Sequence, residues 1–311
     1  LNSVVTRWRG GGLCVVLGLC LACVPLLASA APPVPLLWKV THGQHTLYLL
    51  GSFHLLKPDD YPLSADVDAA FADAEQLVLE LSGDELSSPA LGQAMYAAAR
   101  LPDGQTLEQR LNPSTWQALV DYAHAHNLPV ESFQHLEPWL VAISVSLQKM
   151  VAQGLDPKLG LDVHFIEMAR QAGKPVTGLE RGQQQIDMLD GMTPLEQEQY
   201  LAETLDDAGA TGAAESARLH DAWRDGDIAT LRDGMAADMK REYPQLYQRI
   251  NVARNDAWIP KLAQRLEGPG DDDTLVVVGA LHLLGPDGVV EKLRAKGYAV
   301  ERICSACKAS P

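Results

Sequence analysis

A thirteen-residue segment occurs twice in this chain. Leu47 to Asp59 reads LYLLGSFHLLKPD and Leu275 to Asp287 reads LVVVGALHLLGPD, a constant offset of 228 with seven identical positions. Each copy is an apolar strand, then Gly-x-x-His, then Leu-Leu-x-Pro-Asp opening a helix. Glycine at a strand end lets the chain turn and lets another backbone or a ligand come close. His54 and His282 then fall just past the carboxyl ends of their strands, where open α/β sheets bind ligands. One histidine in an apolar stretch usually reads as a satisfied core residue. Two in the same setting point to a shared site. The repeat also constrains topology, because neither end of the chain has enough strands for a stable sheet and the two ends must therefore pair.

The remaining pattern fits that constraint. Leu36 to Val40 and Thr46 to Leu50 flank a turn and predict a hairpin, and Ser64 to Ala74 predicts a helix with Val67, Ala70, Phe71 and Ala74 on one face. Gln76 to Leu81 reads as a strand. Helices follow over Pro89 to Arg100, Pro113 to Asn127, a more apolar and buried one over Leu136 to Gln153, and Leu161 to Ala172. Pro175 to Leu179 is a strand, and Gln183 to Glu267 has a helical pattern broken near Gly191-Met192-Thr193-Pro194, Gly209 to Gly212, Gly226 and Pro244. Thr274 to Gly279 is the most β-branched strand, followed by a helix over Pro286 to Lys296 and a strand over Tyr298 to Ile303. The predicted class is α/β or α+β: a central mixed sheet built from N- and C-terminal strands, with a long helical insertion over about 183–267. That insertion is read as a lid or as a homodimer interface.

Two imidazoles converging from adjacent strand ends suit a late first-row metal, with a carboxylate completing the set. Glu80 ends the strand QLVLE and Glu180 ends PVTGLE, so parallel strands would carry both to the same sheet edge as the histidines. Each alone reads equally as a helix-capping or surface acid. Together they supply the carboxylates that a hydrolytic site uses as ligand and general base. Asp162 and His164 stand at a helix start, where the plainer reading is a cap and a core residue. Arg254 suits a developing oxyanion or an ion pair with one of the acids, and Arg181 is a second candidate for that role. His42, His45, His124, His126, His135 and His220 are assigned to turns or solvated helix faces. No H-E-x-x-H, G-x-S-x-G, P-loop or dinucleotide fingerprint is present.

Arg7 and Arg9 precede an apolar run from Leu13 to Leu27 that ends in Ala28-Ser29-Ala30. This is the pattern of a secretory signal peptide over residues 1–30 with cleavage after Ala30, leaving residues 31–311 as a single domain in the periplasm or outside the cell. Pro25 and the shortness of the run argue against a stable membrane span. The remaining 281 residues carry 23 bases against 40 acids, a net −17, which argues against a nucleic-acid partner. Three of the five cysteines lie in the signal. Cys304 and Cys307 remain as a C-x-x-C after the last strand, the expected place of a small tail disulfide in an oxidising compartment.

Taken in order, Leu-Trp38-Lys-Val, Gly51-Ser-Phe-His54, Leu-Glu80-Leu, Gly160-Leu-Asp162-x-His164-Phe165, Gly178-Leu-Glu180, Arg254-Asn255-x-x-Trp258 and Gly279-Ala-Leu-His282 resemble the TraB/GumN family, which includes the Tiki proteases. The resemblance spans nearly the whole of residues 31–311. It implies an α/β core related to erythromycin-esterase-like and ChaN-like proteins. It also implies a divalent-metal-dependent protease in which His54 and His282 are central and Glu80 and Glu180 lie beside them. Relatives at the level of the fold differ in chemistry, one group hydrolysing a lactone and another binding haem. The expected function is thus an exported metal-dependent hydrolase, a peptidase by this resemblance, acting on a peptide or small molecule. It would hold Mn, Co or Zn through His54, His282 and Glu80, with Glu80 or Glu180 as base. The alternatives are a haem- or ligand-binding envelope protein without turnover, and an envelope interaction module.

Overall fold

β1 (Leu37–His42) and β2 (His45–Ser52) pair antiparallel across the two-residue turn Gly43-Gln44, as the apolar runs predict. In the computed structural model, which describes residues 31–206, 210–269 and 272–307, they sit inside a six-stranded sheet. The expected signal segment, 1–30, lies outside the described residues. β3 (Gln76–Leu79), β4 (Val176–Gly178), β5 (Thr274–Gly279) and β6 (Ala299–Arg302) complete the sheet in the order β4-β3-β5-β2-β1-β6. β4, β3, β5 and β2 run parallel, whereas β1 is antiparallel to both β2 and β6. The ends of the chain therefore meet as expected, in a mixed α/β architecture.

β2 and β5 are buried along nearly their whole length. Side chains alternate across a strand, so both faces of the sheet centre are covered, the usual condition of parallel strands. The covering helices are α1 (Ala65–Asp73), α5 (Leu161–Ala172), α9 (Ala253–Glu267) and α10 (Val289–Ala295). Phe71 of α1 meets Phe165 of α5 with ring centroids 5.7 Å apart. Trp258, Ile259, Leu262 and Leu266 of α9 join Val289, Val290 and Leu293 of α10 in the same core.

Between β3 and β4 the chain runs through α2 (Pro89–Ala98), α3 (Pro113–Ala125), α4 (Pro138–Ala152) and α5. Between β4 and β5 it runs through α6 (Gly182–Asp190), α7 (Pro194–Asp206), α8 (Ala210–Asp225) and α9, with short helical turns between the last two. Leu119, Val141, Val145 and Leu201 gather α3, α4 and α7 into a second core away from the sheet.

Two expectations are corrected. The apolar helix α4 is buried only over its first half, since Leu147, Met150 and Val151 near its end are exposed. Neither Pro-Asp pair opens an α-helix. Pro58–Asp60 is one 3₁₀ turn, and after Pro286 the helix starts only at Val289, with Gly288 as its N-cap. Among the described residues no helix is long and apolar enough to cross a membrane.

Candidate functional site

The two copies of the repeat end up side by side, but not in equivalent positions. In the parallel β2–β5 ladder Gly51 faces Val278 and Ser52 faces Gly279, a stagger of one residue relative to the repeat. Because strand side chains alternate, that stagger sends equivalent residues to opposite faces. His282 lies on the single helical turn Ala280–Leu283 and is buried. His54 follows β2 directly and its side chain is 62% exposed, in the wall of a cavity. Glu80 leaves β3 and Glu180 leaves β4 at the same level, joined by a Glu180 N–H bond to the Glu80 carbonyl at 2.9 Å. The parallel strands thus bring His54, His282, Glu80 and Glu180 to one sheet edge, as the sequence predicts.

Arg254 is the hub of this edge. Its guanidinium donates to Glu180 (Nε to Oε1, 3.0 Å), bridges Glu80 and Glu180 through Nη2, and points Nη1 at His282 Nε2 at 3.0 Å. It also lies over the Trp258 ring, 4.9 Å from the centroid. Helix α9 delivers three groups in five residues. Arg254 goes to the acids, Asn255 Oδ1 accepts from His282 Nδ1 at 2.7 Å, and Trp258 Nε1 donates to Glu180 Oε2 at 3.3 Å. Asn255 in turn donates to the Asp287 carbonyl at 2.9 Å, which fixes its amide orientation.

Electrostatics follow from this packing. Burial pushes the Glu80 carboxyl up, but Arg254, the two histidines and the Gly279 N–H outweigh it and hold Glu80 far below the usual carboxylate range. Burial, aided by Arg254, drives the His282 pKa down to about 4, so this imidazole is neutral at pH 7 with its lone pair on Nε2. His54 moves the other way. The Asp162 carboxylate, 2.7 Å from Nδ1, raises it to about 9.

Asp162 is buried against His54, so the capping role expected of it is corrected to that of a partner in the site. Gly160 makes this possible: a Cβ at that position would collide with the His54 carbonyl, and Leu161 N–H bonds the Phe53 carbonyl at 3.1 Å. His164 is half-buried and faces Tyr61 with ring centroids 4.6 Å apart, beside the core and not within it. Glu180 is committed to Arg254, Trp258 and Gln185, and it does not line the cavity. Arg181 is exposed at the start of α6, away from the cluster.

The structure also corrects His220. It is buried, not on a solvated face, and its Nε2 bonds Asp60 Oδ2 at 2.8 Å. Asp60, fully buried, also accepts from Arg224 and from the Lys57 N–H, tying α8 to the loop after His54. Nothing local to Leu219-His220-Asp221 marks this, because the partner lies 160 residues away. Asp60→Asn places an amide NH₂ against donors and is expected to cost about 2–3 kcal/mol, read by urea denaturation at pH 7. Burial pushes Asp60 up, but its three donors hold it below the ordinary range. Its stability contribution is therefore present above the unfolded-state carboxylate pKa and lost as pH falls through the folded value. The gap between wild type and variant should accordingly shrink in acid.

The metal expectation can be tested against the donor set. Both Nδ1 atoms are anchored outward, to Asp162 and Asn255, the pattern by which ligating imidazoles are oriented. The inward edges surround Gly279, where a Cβ would lie 3.3 Å from Glu80 Oε1, 3.5 Å from His282 Cδ2 and 4.0 Å from His54 Nε2. Two imidazoles and a carboxylate are donor types that suit a late first-row ion, provided that His54 gives up the proton that Asp162 stabilises. Ligation by His282 excludes its contact with Arg254, since both use the same lone pair. No three His, Cys, Asp or Glu among the described residues are gathered at ligating distance.

The TraB/PrgY/gumN family matches residues 36–302 of the chain. Uncharacterized protein YbaP of Escherichia coli (strain K12) is 27% identical over 253 residues, covering 81% of this chain and 89% of YbaP. The protein of the same name from Shigella flexneri matches at the same identity and coverage. No solved structure matches the chain.

Proposed function

The chain belongs to the TraB/PrgY/gumN family, and from that premise we propose that it is an exported metal-dependent hydrolase acting on peptide bonds. The observation that carries the reading is the pair of imidazoles held Nε2-inward around Gly279 beside Glu80. His54, His282 and Glu80 would hold a divalent ion, Mn, Co or Zn. Such an ion supplies a polarised carbonyl and an activated water at neutral pH. Arg254 keeps Glu80 ionised and stands ready to stabilise negative charge developing on the substrate. Glu180 holds Arg254 in place. Export is supported by the charged-apolar-small pattern of residues 1–30 and by the disulfide between Cys304 and Cys307.

Elemental analysis of protein purified without chelator, with a peptide-cleavage panel, tests this. His54→Ala and His282→Ala should each lose bound metal and at least about 100-fold in turnover. Unchanged metal content and hydrolysis in both would overturn it. One observation favours a second reading: the Arg254 guanidinium already contacts Glu80 and His282. In that reading the guanidinium is the electrophile and protonated His54 the acid, and hydrolysis survives chelation. A Soret shift with haemin and no cleavage would instead assign a binding protein.

A further inference from the structure

The cavity beside His54 has a volume of about 350 Å³, near the lower end of ligand pockets (~300–1,000 Å³). Its two ends differ in chemistry. One end carries Ser52, His54, Glu80, Arg254 and His282; the remaining wall is mainly apolar, with Phe53, Leu55, Met150, Leu155, Leu219 and Met235. These side chains come from three separate parts of the chain: the segment after β2, helix α4 with the residues following it, and α8 with the helical turns beyond it. Met150 stands at the mouth, three residues on from Leu147 and next to Val151, so the apolar wall continues outward along the exposed end of α4.

Ser52 adds a second observation. It is 2% exposed, it faces Gly279 across the β2–β5 ladder, and its hydroxyl makes no hydrogen bond within the protein. An unpaired buried hydroxyl is costly, so a ligand offering a polar group at that point gains a partner that the protein alone does not provide. The other titratable group in the wall, His220, has its Nε2 taken up by Asp60. A charged side chain entering the apolar part would find no counter-ion there and would lose its hydration.

Resting on the hydrolase reading, we infer that this cavity is the substrate's side-chain pocket: it takes one bulky apolar side chain of a peptide, and Ser52 Oγ holds the adjoining peptide amide next to His54 and Glu80. The pocket selects substrates with a leucine-, methionine- or phenylalanine-like residue beside the bond to be cleaved.

The test is calorimetric titration of the full folded chain with N-acetyl-leucinamide, N-acetyl-phenylalaninamide, N-acetyl-lysinamide and N-acetyl-aspartamide, beside a cleavage panel varied at single positions. The two apolar amides should bind at least tenfold more tightly than the two charged ones. Leu219→Asn and, at the mouth, Met150→Gln should weaken the apolar amides several-fold. Ser52→Ala should weaken both apolar amides by a similar factor without lowering the melting temperature, and Ser52→Thr should restore binding. Equal binding of charged and apolar amides, absence of binding, or indifference to Leu219→Asn and Met150→Gln would overturn the pocket. Loss of melting temperature in Ser52→Ala, with binding intact, would overturn the role of its hydroxyl. Apolar-selective binding without cleavage of any peptide would remove the peptidase reading and leave the pocket. Cleavage indifferent to every side chain would do the reverse.

Discussion

Arg254→Ala is expected to lower the unfolding free energy by about 3–5 kcal/mol, because it leaves two buried carboxylates facing one another without their cation. Glu80 and Glu180 side chains are 10% and 9% exposed, and the guanidinium bonds both. The same substitution removes the Nη1 contact to His282 and the packing over Trp258. Urea denaturation at pH 7 reads the loss. Arg254→Ala combined with Glu180→Gln should recover part of it by removing one of the facing charges. The deficit should also shrink in acid, since Glu80 without Arg254 takes up a proton more readily. A loss below about 1 kcal/mol would mean that the acids do not depend on this cation. Metal titration of the same variant separates the two functional readings. If Arg254 competes with an ion for His282 Nε2, its removal raises metal affinity; if the guanidinium is itself the electrophile, hydrolysis disappears and metal binding does not rise.

Asp162→Asn is expected to reduce metal affinity or turnover about 10–100-fold with little change of fold. The Asp162 carboxylate both orients the His54 ring and raises its pKa to about 9. With a neutral amide in its place, the imidazole pKa should fall toward the ordinary histidine value, read by NMR titration of the ring protons. The sign for stability follows. A histidine raised in the folded state contributes stability that is fully present below its unfolded pKa and is lost as pH rises through about 9. Asn at 162 should therefore flatten the alkaline limb of the stability profile. A His54 that still titrates near 9 in the variant would show that its shift has another source.

Much of this site was legible from the chain. Gly-x-x-His twice, each after an apolar strand, located His54 and His282, and acids at the ends of two further strands located Glu80 and Glu180. Parallel pairing of β2, β3, β4 and β5 then carries all four to one edge. Less legible were the residues that act through a partner distant in sequence. Asp162 looked like a helix cap because a helix start is where aspartate caps belong, and nothing local marks His54, 108 residues earlier, as its target. Asn255 anchors His282 from within a helix, where no local pattern sets it apart from any other helical asparagine. His220 and Asp60 meet across 160 residues. Ser52 differs from its repeat counterpart, Ala280, by one hydroxyl, and no pattern in the chain says that the hydroxyl is buried without a partner.

The sequence by itself determined the sheet and its edge. Alternation and continuous apolar runs place strands, glycine and proline end them, and a repeated motif at both ends of the chain requires those ends to meet. Only the tertiary structure decided what the two histidines became. The repeat predicts equivalence, yet the ladder pairs the strands one residue out of step, and in a period-two structure one residue is a change of face. One imidazole is therefore buried and neutral beneath Arg254, while the other is open to the cavity and charged by Asp162. Local sequence fixes which residues a strand contains; register, and with it each residue's surroundings, is set by what packs on both faces at once.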